Sequence, residues 1–172
     1  MQPVVSIVTP SFNQAPFLEA TITSVLNQTY SNLEYLIVDG GSTDGSQEII
    51  KKYLKQIAWW VSEADCGQAD AINKGLKRAQ GEIIGWLNSD DLYLQGTLEI
   101  VVDFFQSHPE VGLVFGDVLA VDECGETINT LRYADYHLED LMEFRIIGQP
   151  AVFFRREVLE KSGLLDLSYH YL

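Results

Sequence analysis

At 172 residues, with 47% hydrophobic and 21% charged side chains, the chain is long enough to bury one core and has the composition of an ordinary globular protein. Eleven basic against twenty-five acidic residues give a formal net charge of −14. That balance argues against nucleic acid, whose affinity comes mostly from Lys and Arg displacing counterions, and against a polybasic membrane anchor. Residues Met1 to Val5 lack the basic and apolar regions of a signal peptide, and the longest apolar stretch, Val111 to Val121, is broken by Asp117. No transmembrane segment and a cytoplasmic location are therefore expected. Cys66 and Cys124 have no zinc or disulfide spacing and read as reduced packing thiols.

Val4 to Thr9 is a β-branched run ended by Pro10, as expected of a strand buried on both faces. Leu18, Ile22, Val25 and Leu26 then recur at helical spacing. Glu34 to Val38 reads as a second strand, stopped at Asp39-Gly40-Gly41-Ser42, and Ile49, Ile50, Tyr53 and Leu54 as a second amphipathic helix. Trp59 to Val61, Ile83 to Leu87 and Leu113 to Phe115 read as three more strands. Between them, Ala69, Ile72, Leu76 and Ala79 mark one helix and Leu98, Val101, Val102 and Phe105 another, closed at His108-Pro109. Alternation of strand and helix means crossovers, hence an α/β fold with a mostly parallel sheet and helices on both faces. Residues 122–148 look less regular. Ala151 to Phe154 resumes as a strand, and Glu157 to Ser162 is a helical turn capped by Gly163.

Ligands of such sheets bind beyond the carboxyl ends of the strands. Polar clusters fall there four times: Pro10-Ser11-Phe12-Asn13, Asp39, Asp65 to Asp70, and Asn88-Ser89-Asp90-Asp91. Adjacent Asp90 and Asp91 repel each other unless a cation sits between them, and hard oxygen donors suit Mg²⁺ or Mn²⁺ clamped on a phosphate; the alternative is a solvated acidic turn. Each diphosphate charge about 4 Å from an aspartate is repelled by roughly 4 kcal/mol at an effective dielectric near 20, so a metal would have to accompany a nucleotide. Asp39 accepts from a ligand N–H or else stabilises its own turn as an Asx carboxylate. Gly67 permits close backbone approach. Asp70 and Lys74 share a helical face, where a surface ion pair is the competing account, and Gly75 in that helix points to a ligand passing close by or to tight helix–sheet packing. A P-loop and a G-x-G-x-x-G after a strand are both missing from the sequence.

Five motifs in this order, Val5 to Asn13, Ser24 to Tyr30, Val38 to Gly45, Asp70 to Gly75 and Leu87 to Asp91, make the chain resemble family 2 of the inverting nucleotide-sugar glycosyltransferases, which have the GT-A fold. The resemblance covers essentially all of residues 1–172. It implies one GT-A domain, with a nucleotide-binding part over 1–121 and the start of an acceptor-side part over 122–172. It also implies that Pro10, Ser11, Phe12, Asn13 and Asp39 line the nucleoside pocket, that Asp90 lies near the ribose or diphosphate, and that Asp91 is the firmest ligand of a Mg or Mn cation. Gly67, Asp70 and Lys74 join the expected nucleotide-binding set. Asn88 stands where relatives often carry a carboxylate.

The implied activity moves a sugar from a nucleoside-diphosphate sugar donor to a hydroxyl of a glycan or lipid-linked acceptor, with inversion, in surface polysaccharide or glycan assembly, in the cytoplasm or peripherally at the inner membrane face. The general base of relatives falls just past a stretch like Asp166 to Leu172, so the expectation is a chain cut in mid-domain that binds donor with little turnover. Competing readings are a receiver-like phosphoacceptor module, whose acidic pair should follow the first strand, a sugar-nucleotide pyrophosphorylase, and a binding-only domain. His108, His137 and His170 read as surface or capping residues, Trp59 and Trp60 as packing, and Arg155 and Arg156 as solvated charges at a helix start, with a phosphate contact as the alternative.

Overall fold

The structure, a computed structural model, describes residues 2–122, 124–133, 137–143 and 147–168. Strand β1 (Val5–Ser11) is buried along all seven residues. It lies between β2 (Leu33–Asp39) and β4 (Ile83–Trp86), parallel to both, and β3 (Trp59–Ser62) extends the sheet beyond β2 in the same sense. On the other side β8 (Phe153–Arg155) pairs antiparallel with β4, and the short edge strand β5 (Leu113–Val114) pairs antiparallel with β8. The order β3-β2-β1-β4 is that of a doubly wound nucleotide-binding half. Its connections reverse direction between β1 and β4.

Successive residues of each strand face opposite helical layers, as a period of two requires. Ile7, Ile37, Ile83 and Phe153 meet α1 (Ala15–Leu26), α2 (Ser46–Lys52) and α4 (Thr97–Ser107). Val8, Leu36, Ile84 and Phe154 meet α3 (Gln68–Arg78) and α6 (Arg156–Ser162) on the other face. A short helix, α5 (Leu138–Met142), lies outside these layers in sequence.

Strand β1 does not stop at Pro10; it continues to Ser11, with Pro10 opposite Val38. The peptide groups explain how a central strand tolerates proline. The Val8 carbonyl accepts from Leu87 N at 2.9 Å on the β4 side, and the Ser11 carbonyl accepts from Gly40 N at 2.8 Å on the β2 side. By alternation Pro10 faces β4. The β1–β4 register ends at Val8 opposite Trp86, so the missing N–H falls where β4 has already left.

Three other expectations change. Helix α2 ends at Lys52, and Ile57, delivered by a turn on the Tyr53 carbonyl, takes the next core place while Leu54 stays exposed. Part of the stretch 122–148 is regular: β6 (Val118–Val121) and β7 (Thr127–Leu131) form a hairpin whose turn is closed by Asp122 Oδ1 accepting from Cys124 N and Glu126 N. Arg155 and Arg156 are not solvated charges. Arg155 donates to the carbonyls of Val111, Phe105 and His108, and Arg156 to those of Ala79 and Gly81, so each guanidinium ties down a chain end left open by a helix C-terminus.

Gly75 is explained by packing. A Cβ there would stand 2.3 Å from Val8 Cγ1, on the face where α3 crosses β1. Gly75→Ala therefore lowers stability, because an overpacking cost of about 1–3 kcal/mol outweighs a helix-propensity gain of about 1 kcal/mol. Urea unfolding checks this; a variant as stable as the parent would show that α3 can move away from the sheet.

Candidate active site

Where β1 and β4 part, a cavity of about 800 Å³ opens over the carboxyl ends of the strands. Pro10, Ser11 and Phe12 form one wall, Gly40 and Asp65 another, Gly67 and Gln68 a third, and Asn88, Ser89 and Asp90 the fourth. Ser11 is 4% exposed and its hydroxyl has no hydrogen-bond partner. Phe12, by contrast, holds an exposed ring at the rim. A Cβ on Gly40 would come within 2.7 Å of Asp65 Oδ2 and 3.2 Å of the Phe12 ring, so a larger residue here would displace both wall side chains.

Of the expected nucleotide-binding residues, Pro10, Ser11, Phe12, Gly67 and Asp90 line this cavity; Asn13, Asp39, Asp70 and Lys74 stand behind its walls. Asp39 is fully buried. Its Oδ2 accepts from Gly41 N, Ser42 N and Ser62 Oγ, and its Oδ1 from Ser42 Oγ at 2.5 Å, the bonding of an Asx turn reinforced from β3. Asn13, at φ 53°, donates its N–H to Ser42 Oγ and accepts from Thr43 N, locking the loop after β1 to the loop after β2. Asp70 accepts from Cys66 N, and the Lys74 ammonium reaches Glu63 at 2.9 Å and Asp70 at 3.6 Å. Those acids hold the Lys74 pKa above its ordinary value, so this cation braces the loop that carries Asp65 and Gly67.

The acidic turn after β4 is divided. Asp90 is exposed and lines the cavity, whereas Asp91 is half-buried and faces a neighbouring groove of about 630 Å³ to which Asp90 also contributes. Burial, and next the charge of Asp90, pushes the Asp91 carboxyl above the usual carboxylate range; a hydrogen bond from the Asn88 side chain works in the opposite direction. Asn88 also accepts from Gln68 Nε2 at 2.6 Å. A carboxylate at this position could accept from Gln68 but not donate to Asp91, so the amide serves where relatives often have an acid. Among the described residues no group of three or more His, Cys, Asp or Glu could hold a metal alone. Two adjacent oxygen donors do fit a hard cation that keeps waters and phosphate oxygens as its other ligands.

The sequence reading placed Asp65, Gln68 and Asn88 in polar clusters at the strand ends but left them out of the nucleotide-binding set, and it missed the supports of the turn. Thr21 Oγ1 donates to the Ser89 carbonyl, Ser24 Oγ accepts from Tyr93 N, and Gln28 donates to the Leu94 carbonyl while accepting from Leu98 N. Polar Thr21, Ser24 and Gln28, spaced three and four apart along α1 and just past its end, were the available signal. Trp59 lies under Arg78, Trp60 packs on the core, His108 bonds and stacks on Phe104, and His137 is an exposed surface residue. His170 and the base expected beyond Leu172 lie outside the described residues.

The family model for glycosyl transferase family 2 matches residues 6–163. The chain belongs to this family. Among curated relatives, the teichuronic acid biosynthesis glycosyltransferase TuaG of Bacillus subtilis is 34% identical over 165 residues, covering 91% of this chain and 64% of its own length. Among solved structures, residues 1–349 of S. aureus TarS in complex with UDP superpose with a TM-score of 0.78 at 20% identity, over 96% of this chain and 51% of that chain. That likeness shows the fold, GT-A. The mannosyltransferase PcManGT of Pyrobaculum calidifontis, solved with GDP-Man and Mn²⁺, gives 0.74 at 26% identity over 97% of this chain and 48% of its own. The family member described here thus spans about half to two thirds of the chains it was matched to. Among the described residues no helix is long and apolar enough to cross a membrane.

Two outcomes follow from the burial of these carboxylates. Asp39→Asn sets an amide N–H₂ against buried donors and loses about 1–3 kcal/mol for each group left unpaired, read as a lower urea midpoint without any ligand. Asp91 acts with the opposite sign: its raised folded-state pKa stabilises the metal-free protein at low pH and is lost as pH rises through that pKa. In EDTA at neutral pH, Asp91→Asn therefore melts above the parent, and the gap closes on acidification. A variant that melts below the parent at neutral pH would contradict this assignment.

Proposed function

We propose that this chain is the donor-binding part of a glycosyltransferase that takes a nucleoside-diphosphate sugar in the crevice between β1 and β4. The observation that carries the reading is the cavity at the reversal of strand order, which pairs an exposed aromatic ring and an unpartnered buried hydroxyl on one wall with the first residue of an acidic pair on the opposite wall. The Phe12 ring offers a face for a base, and Ser11 Oγ offers a hydrogen bond to the nucleoside. The diphosphate then lies toward Asp90. UDP in TarS, and GDP-Man with Mn²⁺ in PcManGT, support a donor of this class and a divalent cation with it.

Asp90 and Asp91 would hold the cation, Mg²⁺ or Mn²⁺, with phosphate oxygens completing its coordination. When bound, it offsets the charge of the departing nucleoside diphosphate. The residues of the chain do the remainder. Thr21, Ser24 and Gln28 hold the turn rigid, and the Gln68–Asn88 bond fixes its near side. In the transfer implied by the family, the acceptor oxygen bonds to the anomeric carbon from the face opposite the breaking bond to the diphosphate, which inverts that centre. The acceptor proton passes to a general base. TuaG, named for teichuronic acid biosynthesis, supports a role in glycan or polysaccharide assembly.

The test is a thermal-shift panel of UDP, GDP, dTDP and CDP, each with and without Mn²⁺. One nucleotide raises the melting temperature more with Mn²⁺ than without, and Asp91→Asn removes that increment. A variant that keeps the parent's metal-dependent response would place the cation elsewhere.

A further inference from the structure

The stretch after α6 reaches the donor half of the molecule through one polar side chain. Leu164 to Ser168 forms neither helix nor strand, and all of it except Leu165 is exposed. Leu165 packs on the layer of Val8, Ile72, Leu76 and Ile84. There Asn73, on α3 and 5% exposed, donates Nδ2 to the Leu165 carbonyl at 2.8 Å and accepts from Leu165 N at 2.9 Å. One amide thus pairs with both peptide groups of a residue 92 positions away, as the next strand of a sheet would. Among the described residues these are the only hydrogen bonds that tie Leu164 to Ser168 to another element, while Asp166 Oδ1 accepting from Ser168 N closes the stretch on itself.

We propose that Asn73 is a positioning residue of the transfer reaction: it fixes the backbone at Leu165 to the helix that opens at the donor cavity, and so holds Leu164 to Ser168 at one place relative to the bound donor. The inference rests on the donor assignment above, and three observations carry it further. Packing does not call for an amide at 73, where an apolar residue would suit a helix face turned to an apolar layer, and a buried amide is tolerated only because both its polar atoms are met. The same helix begins with Gln68 in the cavity wall, and Asn73 stands about 7.5 Å along the axis from it. Leu165 also shares its layer with Trp86, the last residue of β4 before the acidic turn, so the clamp sits between the two elements that carry the site. The general base is expected beyond Leu172, which makes this stretch its lead-in, and a reacting group misplaced by about 1 Å loses roughly 100-fold in rate.

Amide-resolved NMR of the 172-residue protein tests this in two steps. Without ligand, the Leu165 amide exchanges with deuterated water about tenfold or more faster in Asn73→Leu, which fills the same space, than in the parent. Asn73→Asp still accepts from Leu165 N and keeps part of the protection, and amides of β1 and β4 exchange alike in all three proteins. In the second step Mn²⁺ is added with whichever of UDP, GDP, dTDP and CDP binds, and paramagnetic broadening of the Leu165 to Ser168 amides reads their distance from the cation. Asn73→Leu binds that nucleotide within about twofold of the parent but loses the parent's pattern of broadening, and Asn73→Asp restores much of it. A Leu165 amide equally protected in Asn73→Leu, or a broadening pattern that this variant leaves unchanged, would overturn the proposal, because packing alone would then hold the stretch. Should Asn73→Leu fail to fold, Asn73→Asp decides by the same two readings. A protein that binds none of the nucleotides sinks the donor assignment and this role with it, and the ligand-free exchange tells that failure apart from failure of the clamp.

Discussion

Beyond Val8, strands β1 and β4 share no further ladder, and the site depends on that parting. The topology reverses there, so no crossover helix fills the gap. Pro10 turns its donorless nitrogen toward the space, which lets the strand continue to Ser11 without leaving a buried N–H unpaired. The loops after β1, β2, β3 and β4 then converge on one opening. Their mutual bonds, Asn13 to the loop after β2 and Gln68 to Asn88, make one rim of four separate turns.

On that rim the charges are arranged in two depths. The buried carboxylate, Asp39, is satisfied by four protein donors and serves as a fixed post for the loop after β2. Among the described residues the shallower pair, Asp90 and Asp91, makes no ion pair, and the cations Lys74, Arg155 and Arg156 are engaged elsewhere. Burial and repulsion raise the Asp91 pKa, the mark of a carboxylate whose ionised form is poorly compensated by the protein. A divalent cation held by Asp90 and Asp91, as proposed above, would supply the compensation, and with so few protein ligands it would be expected to arrive together with the nucleotide.

Much of this was legible in the sequence, for identifiable reasons. Strands buried on both faces announce themselves as unbroken apolar runs, and glycines at 40 and 67 and acids at 39, 90 and 91 mark the ends of those runs. The resemblance in five ordered motifs fixed the family. What stayed hidden was partnership. Asp39 and Lys74 have the residue types of a binding site, yet their bonds are internal, and no spacing rule shows which lone pairs are already taken. Arg155 and Arg156 read as solvent-facing charges because their carbonyl partners lie some 40 to 80 positions away in sequence. The β6–β7 hairpin was missed because several of its exposed residues, Leu119, Val121, Ile128 and Leu131, are apolar, which blurs the alternation that signals a strand.

The most direct test of the central claim is electron paramagnetic resonance of Mn²⁺ mixed with the protein and a nucleoside diphosphate. The account predicts a protein-bound ion that appears only when protein and nucleotide are both present, coupled to phosphorus-31 and lost in Asp90→Asn/Asp91→Asn. An ion bound equally well without nucleotide, or a bound nucleotide whose phosphorus shows no coupling to the metal, would contradict it.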